Sequence, residues 1–308
     1  MRGFRTDLAM ECIGEQQEQQ SGVRVRTHRF GDITHTRIRI TDARAAEELG
    51  RRQGEYITVE CAHLPQTGAR QREMLARLIA QGVRGMLPPD GEVLVVGLGN
   101  RNVTADALGT RVVERMLVTR HLQQAMVEEL RGKLRGVSAI APGVLGLTGI
   151  ETAELCRGLV QHVKPCAVVA IDALAAFESG RICTTVQITD TGIEPGSGVG
   201  NHRLGLTEDT LGVKVIAVGV PMVVYASTIA RDAMTRLVRE YGTFDQAQQQ
   251  SAERLMQQVT DGFLGDMVVT PREIDELVVN VAALISDGLN QALQPAIDTE
   301  TLHHCLPI

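Results

Sequence analysis

The sequence predicts an α/β protein: a mostly parallel central sheet flanked by helices, doubly wound, with an additional helical C-terminal region. Two patterns carry this expectation. Residues 93–97 (VLVVG), 137–141 (VSAIA), 167–172 (AVVAID) and 215–219 (VIAVG) are continuous apolar runs. A strand apolar on both sides is buried on both faces, as central strands of parallel sheets are. Helical stretches at about 106–121, 152–163 and 223–241 alternate with these runs, the βαβ arrangement. Composition agrees, because a chain with no Trp and only 3% aromatic residues must build its core from Val, Leu, Ile, Ala and Met.

Taken in order, residues 15–22 (EQQEQQSG) are polar and aperiodic and read as a loop. Residues 34–40 (THTRIRI) alternate with the period of a half-buried strand. Thr41 and Asp42 are suited to cap a helix that follows to about Gly54. Residues 56–61 (YITVEC) are β-branched and short, hence a strand. Met74, Leu75, Leu78 and Ile79 give residues 69–82 helical spacing. Residues 182–188 (ICTTVQI) form a further strand, either antiparallel or in an insertion. Thr270 as N-cap, Pro271 at the first position and Glu273 closing a capping box open a helix that Pro295 stops after Gln294. Residues 302–308 are a tail with two histidines, and no internal repeat is evident.

Length and charge bound the function. With 308 residues the chain has enough length for a sizeable core, and its formal charge of −6 argues against an electrostatic nucleic-acid binder. Cys12, Cys61, Cys156, Cys166, Cys183 and Cys305 contain no CxxC pair, so neither a disulfide framework nor a zinc site is expected. Cys166 reads as a buried free thiol. No signal-peptide-like stretch and no run of ~18 apolar residues is present. A cytoplasmic protein, away from membranes, is expected.

Ligands of open α/β sheets bind beyond the carboxyl ends of the strands, so the residues following each run are where chemistry is expected. After the first run comes GLGNRNVTADALG, which starts like a dinucleotide fingerprint but has Asn102 in place of its third glycine and lacks the downstream acid. It presents Asp106 at the start of a helix, where the plain structural role is an N-cap. The third run ends on Asp172, which either binds a backbone amide or an arginine, or faces the crevice as a functional carboxylate. Two carboxylates at neighbouring strand ends suggest acid–base chemistry, one activating water and the other protonating the scissile amide. Residues 190–201 (DTGIEPGSGVGN) and 141–149 (APGVLGLTG) are glycine-rich loops, read either as irregular surface or as binding loops. GxSxG, HExxH and P-loop patterns are absent, and His303-His304 beside Cys305 reads as incidental rather than a metal site.

At these segments the chain resembles the germination proteases of spore-forming bacteria. The stretches carrying the resemblance are RTDLAMEC (5–12), GLGNRNVTADALG (97–109), APGVLGLTGIET (141–152), IDALAA (171–176), DTGIEPGSGVGN (190–201) and VIAVGVPMVV (215–224), in order along most of the chain. The resemblance implies an atypical aspartic-type endopeptidase without metal or cofactor, whose essential aspartates fall on Asp106 and Asp172. It implies a fold similar to hydrogenase maturation endopeptidases, a homotetramer, and small acid-soluble spore proteins as substrates in the spore interior. It further implies a zymogen that trims its own N-terminus. Family substrates are cut after an acid in a context like Thr-Glu-apolar-Ala-x-Glu, and Thr6-Asp7-Leu8-Ala9-Met10-Glu11 copies that order. Residues 1–7 are then a propeptide, 8–308 a single peptidase domain, and Asp7–Leu8 the bond cut. The plain alternative for this segment is a helix start with Asp7 and Glu11 in its first turns. Ala105 and Thr110 stand where family members commonly carry proline, and Tyr225 where they carry aspartate. Two other functions fit parts of the pattern: a hydrogenase-maturation-type endopeptidase, and a non-enzymatic small-molecule-binding α/β module in which both aspartates are structural.

Overall fold

A computed structural model describes residues 6–13, 21–122, 134–194, 204–241 and 267–297. Its strands are β1 (Val23–Phe30), β2 (Ile33–Ile40), β3 (Gly54–Cys61), β4 (Val93–Gly97), β5 (Val137–Ile140), β6 (Ala167–Ala176), β7 (Thr185–Thr189), β8 (Lys214–Tyr225) and β9 (Val268–Val269). They form one sheet in the order β1-β2-β3-β7-β8-β6-β4-β5, with β9 beside β8. The four continuous apolar runs are its parallel part, β5-β4-β6-β8, as their two-sided burial requires. An antiparallel half, β7, β3, β2 and β1, extends the sheet from β8. The sheet is therefore mixed, and residues 185–189 are the antiparallel member that joins its two halves.

The helices are α1 (Ala43–Leu49), α2 (Ala69–Met86), α3 (Leu108–Val113), α4 (Leu145–Thr148), α5 (Thr152–Val163), α6 (Glu208–Leu211), α7 (Ala226–Tyr241) and α8 (Ile274–Leu293). Alternation along β4 and β6 sends Val95, Val169 and Ile171 to one face, under α2, α3 and α8, and Leu94, Val96, Val168 and Ala170 to the other, under α5 and α6. Val278, Val281, Ala282, Ile285 and Leu289 of α8 are buried at helical spacing against the first face. Each large apolar side chain buried this way contributes roughly 1.5–3 kcal/mol.

Where elements differ from expectation, a tertiary partner has taken the local backbone. The helix expected over 106–121 is only α3, because Leu117 N–H donates to Asn290 Oδ1 on α8 and Thr119 N–H donates to the carbonyl of Val137. Residues 223–225 belong to β8 rather than to α7, pairing with Ala175, Ala176 and β9. Thr270 does not cap α8; its hydroxyl donates to the carbonyl of Met222, and the helix starts at Ile274 without a side-chain cap. Asp42 does cap α1, accepting from the amides of Arg44 and Ala45, but the helix closes earlier, at Gly50 in the left-handed region. Strand β1, not anticipated, is exposed over most of its length and so carries little apolar alternation. Cys166 is half-buried beside Arg135, at the edge before β6, not buried within the run. The five described cysteines are free thiols. No described helix is long and apolar enough to cross a membrane. Residues 15–20, 195–203 and the His303–Cys305 cluster lie outside the described residues.

Candidate active site

Strand lengths create the site. The pairing of β4 with β6 ends at Gly97 opposite Ile171, while β6 and β8 continue together to Ala176 and Val224. Asp172 is therefore the first residue of β6 past the end of β4, within the strand rather than at its end. It is 5% exposed and accepts a hydrogen bond from the amide of Ala173 at 2.9 Å. Pro221, opposite Leu174, has no N–H to donate, and the ladder slips by one residue just beyond it.

Asp106 reaches the same crevice from the turn after β4. It ends a 3-10 turn, Thr104–Asp106, and is half-buried. It does not cap α3: that helix has no side-chain cap, and Asp106 Oδ2 accepts from the amide of Asn100 at 2.7 Å instead. Two glycines make the turn possible. Gly99 has φ +99°, and a Cβ there would stand 1.9 Å from the carbonyl oxygen of Asp106. A Cβ on Gly109 would lie 2.5 Å from backbone atoms of Leu98 and Ile171, so α3 presses directly on the β4–β6 edge.

Both aspartates line one cleft of about 290 Å³. Asp7 and Glu194 line it too, Gly143 and Val144 close it from the second glycine-rich loop, and no described lining residue is Lys or Arg. An acidic, water-accessible crevice of this kind is suited to proton transfer to and from a bound amide. Among the described residues no three His, Cys, Asp or Glu side chains converge as metal ligands.

Residues 6–13 lie across the adjacent strands. Asp7 N–H donates to the carbonyl of Ala175 at 3.0 Å, and the amide of Ala175 donates to Asp7 Oδ2 at 2.8 Å. Gln187 and Arg51 hold the backbone on either side of Leu8. Leu8 is fully buried against Leu174, Ala176 and Val224, and Ala9 is fully buried as well. Glu11 accepts from the amides of Phe177 (2.8 Å) and Glu178 (2.9 Å) and from the Thr6 hydroxyl, and it pairs with Arg181 at 3.3 Å. Burial pushes the Glu11 carboxyl above its ordinary pKa, against the opposing pull of those donors. The expected helix start is a single 3-10 turn, Ala9–Cys12, without a side-chain cap.

On the far side of Asp7 and Leu174 lies a smaller cleft of about 120 Å³, lined by Arg51, Arg52, Tyr56 and Gln187 among others. None of these four stood out in the sequence. A glutamine in the middle of a buried β-strand is the one signal that was available, since buried polar side chains need partners.

A germination protease family model matches residues 5–261. Over 99% of its length the chain is 44% identical to a germination protease of Caldanaerobacter subterraneus subsp. tengcongensis, covering 98% of that protein. It is 38% identical to a germination protease of Clostridium acetobutylicum, over 98% of this chain and 99% of that one. Against a germination protease of Bacillus cereus the identity is 37%, over 96% of this chain and 95% of the relative. Among solved structures, a NiFe hydrogenase maturation protease of Thermococcus kodakarensis overlays on 58% of this chain and 96% of its own, at 17% identity and a TM-score of 0.29.

Proposed function

The chain belongs to the germination protease family, and from that premise we propose that it is an aspartic-type endopeptidase that cuts small acid-soluble spore proteins inside the spore, with Asp106 and Asp172 as its catalytic pair. The observation that carries the reading is that both carboxylates, one from β6 and one from the turn after β4, line one cleft. In the proposed reaction one carboxylate, ionised, takes a proton from the attacking water. The other, protonated, gives its proton to the leaving amine.

The enzyme is made as a zymogen, on this reading, and frees itself by cutting Asp7–Leu8. Residues 1–7 are the propeptide and 8–308 the peptidase domain. The reading is supported by Asp7 standing in the lining of the same cleft as Asp106 and Asp172. Four copies assemble, and the exposed apolar side chains of Leu147 and Ile150 are surface that such an assembly would cover. The experiment is incubation of the full chain with a small acid-soluble spore protein, with the cuts mapped by mass spectrometry. Cuts after an acidic residue support the reading. An uncut substrate, or cuts at unrelated sequences, count against it.

A further inference from the structure

We infer that Gln187 is a further catalytic residue of the self-cleavage, its side-chain amide polarising the carbonyl of Asp7 while fixing the register of the bond to be cut. The inference rests on the Asp7–Leu8 reading above.

Register across the sheet places Gln187 where this is possible. Gly219 of β8 pairs with Asp172 of β6 on one side and with Gln187 of β7 on the other. The three residues thus form a row, with the side chains of Asp172 and Gln187 on the same face. Neighbouring strands are about 4.8 Å apart, so the two Cα atoms are separated by roughly 10 Å. The glycine between them contributes no side chain. Leu174 lies over it, so close that a Cβ on Gly219 would be 2.6 Å from the leucine, and Leu8 packs against that same Leu174. The peptide held by Gln187 rests on Leu174 through Leu8, and its Asp7 lines the cleft that Asp172 lines.

Gln187 is buried, and its amide is directed at that peptide. Its Nε2 donates to the carbonyl of Asp7 at 2.9 Å, and its Oε1 accepts from the amide of Ala9 at 2.7 Å. A carbonyl needs a donor and an N–H needs an acceptor, so only one orientation of the glutamine amide satisfies both. The grip brackets Leu8 through backbone atoms alone, which sets register without reading side chains.

The chemistry follows. The oxygen of water adds to the carbonyl carbon of Asp7, and the water's proton passes to the ionised carboxylate of the pair. Negative charge develops on the carbonyl oxygen, where Gln187 Nε2–H already points. The C–N bond to Leu8 breaks, and the leaving nitrogen takes a proton from the other carboxyl group. Asp7 is left with a new carboxylic acid, which gives its proton to the carboxylate that protonated the nitrogen, and Leu8 with a free amine. A fixed donor aimed at a developing oxyanion contributes on the order of 10²–10³ in rate.

The test is single-turnover self-cleavage of the full chain, followed by intact mass. Gln187→Glu keeps an acceptor for Ala9 but replaces the donor to Asp7 with a carboxylate. We expect a folded protein, checked by thermal unfolding, that cuts Asp7–Leu8 about 10²–10³-fold more slowly than the wild type. Cleavage at the wild-type rate overturns the inference and leaves the underlying reading standing. A wild-type chain that never cuts Asp7–Leu8 overturns the underlying reading instead. A second measurement needs no variant enzyme: a synthetic peptide copying residues 5–13, with the Leu8–Ala9 amide replaced by an ester. Loss of that N–H removes the hydrogen bond to Oε1, and kcat/KM falls about 3–10-fold relative to the amide peptide. Equal cleavage of ester and amide overturns the inference.

Discussion

Glu11 shows how a single side chain can make the N-terminal segment depend on pH. Its folded pKa is raised, chiefly by burial, so the folded state holds the proton more tightly than the unfolded chain does. For a raised pKa the stabilising contribution is fully present below the unfolded value. It is lost as pH rises through the folded value. The Tm of the wild type is therefore expected to rise relative to that of Glu11→Gln as pH falls from 7 toward about 4.5. A difference between the two proteins that does not change with pH, or that runs the other way, contradicts this. Burial also pushes the Cys183 thiol up to about 12 and the Cys156 thiol up to about 11. Neither is expected to react with an alkylating agent at pH 8 until the protein unfolds, and native-state modification monitored by mass is the check. The place of Asp106 and Asp172 at one cleft is legible in the sequence, because residues following buried parallel runs face the crevice of such folds. Gln187, Arg51 and Arg181 are not. Each acts on residues 6–11, between 43 and 180 positions away in sequence, and no local pattern encodes such a pairing.

Elements were legible where burial alone decides their type. The four apolar runs are parallel strands, and Thr152–Val163 is α5 as its spacing requires. Local spacing gives the wrong element where a distant group takes a partner, as Asn290 Oδ1 takes the Leu117 amide and the carbonyl of Met222 takes the Thr270 hydroxyl. Close contact between elements gives a prediction of the same kind. Gly109→Ala drives a methyl group into backbone atoms of Leu98 and Ile171 at 2.5 Å and must lift α3 from the β4–β6 edge beside Asp172 and the turn that carries Asp106. It is expected to cost about 1–3 kcal/mol or more and to slow cleavage together with stability. Gly85→Ala is the control. It lies in α2 with nothing within 4 Å of a new Cβ, and it is expected to stabilise by about 0.5–1 kcal/mol with cleavage unchanged. Urea unfolding of the two variants checks both signs, and a neutral Gly109→Ala would show that the contact yields.

For the whole molecule, the sheet has two jobs on its two halves. The parallel half builds the crevice, through a short β4 beside long β6 and β8 strands. The antiparallel half, ending on β7, supplies Gln187 and the cluster under Ala9, while Asp7 and Leu8 lie on β6 and β8. The parallel half was readable from its apolar runs, whereas the extent of the antiparallel half was not, since β1 is largely exposed. Sedimentation at micromolar concentration is expected to give four copies, and a stable monomer would contradict the proposed assembly.

Asp106 and Asp172 are proposed to act as one unit in cutting peptide bonds. The rate of spore-protein cleavage by the wild type and by Asp172→Asn, each shown to be folded, decides whether they do. Losing one member of a pair that acts together is expected to lower the rate by about 10³ or more, with residues 1–7 retained on the variant chain. An Asp172→Asn protein that still cuts the substrate at near wild-type rate shows that the two aspartates do not form a catalytic pair.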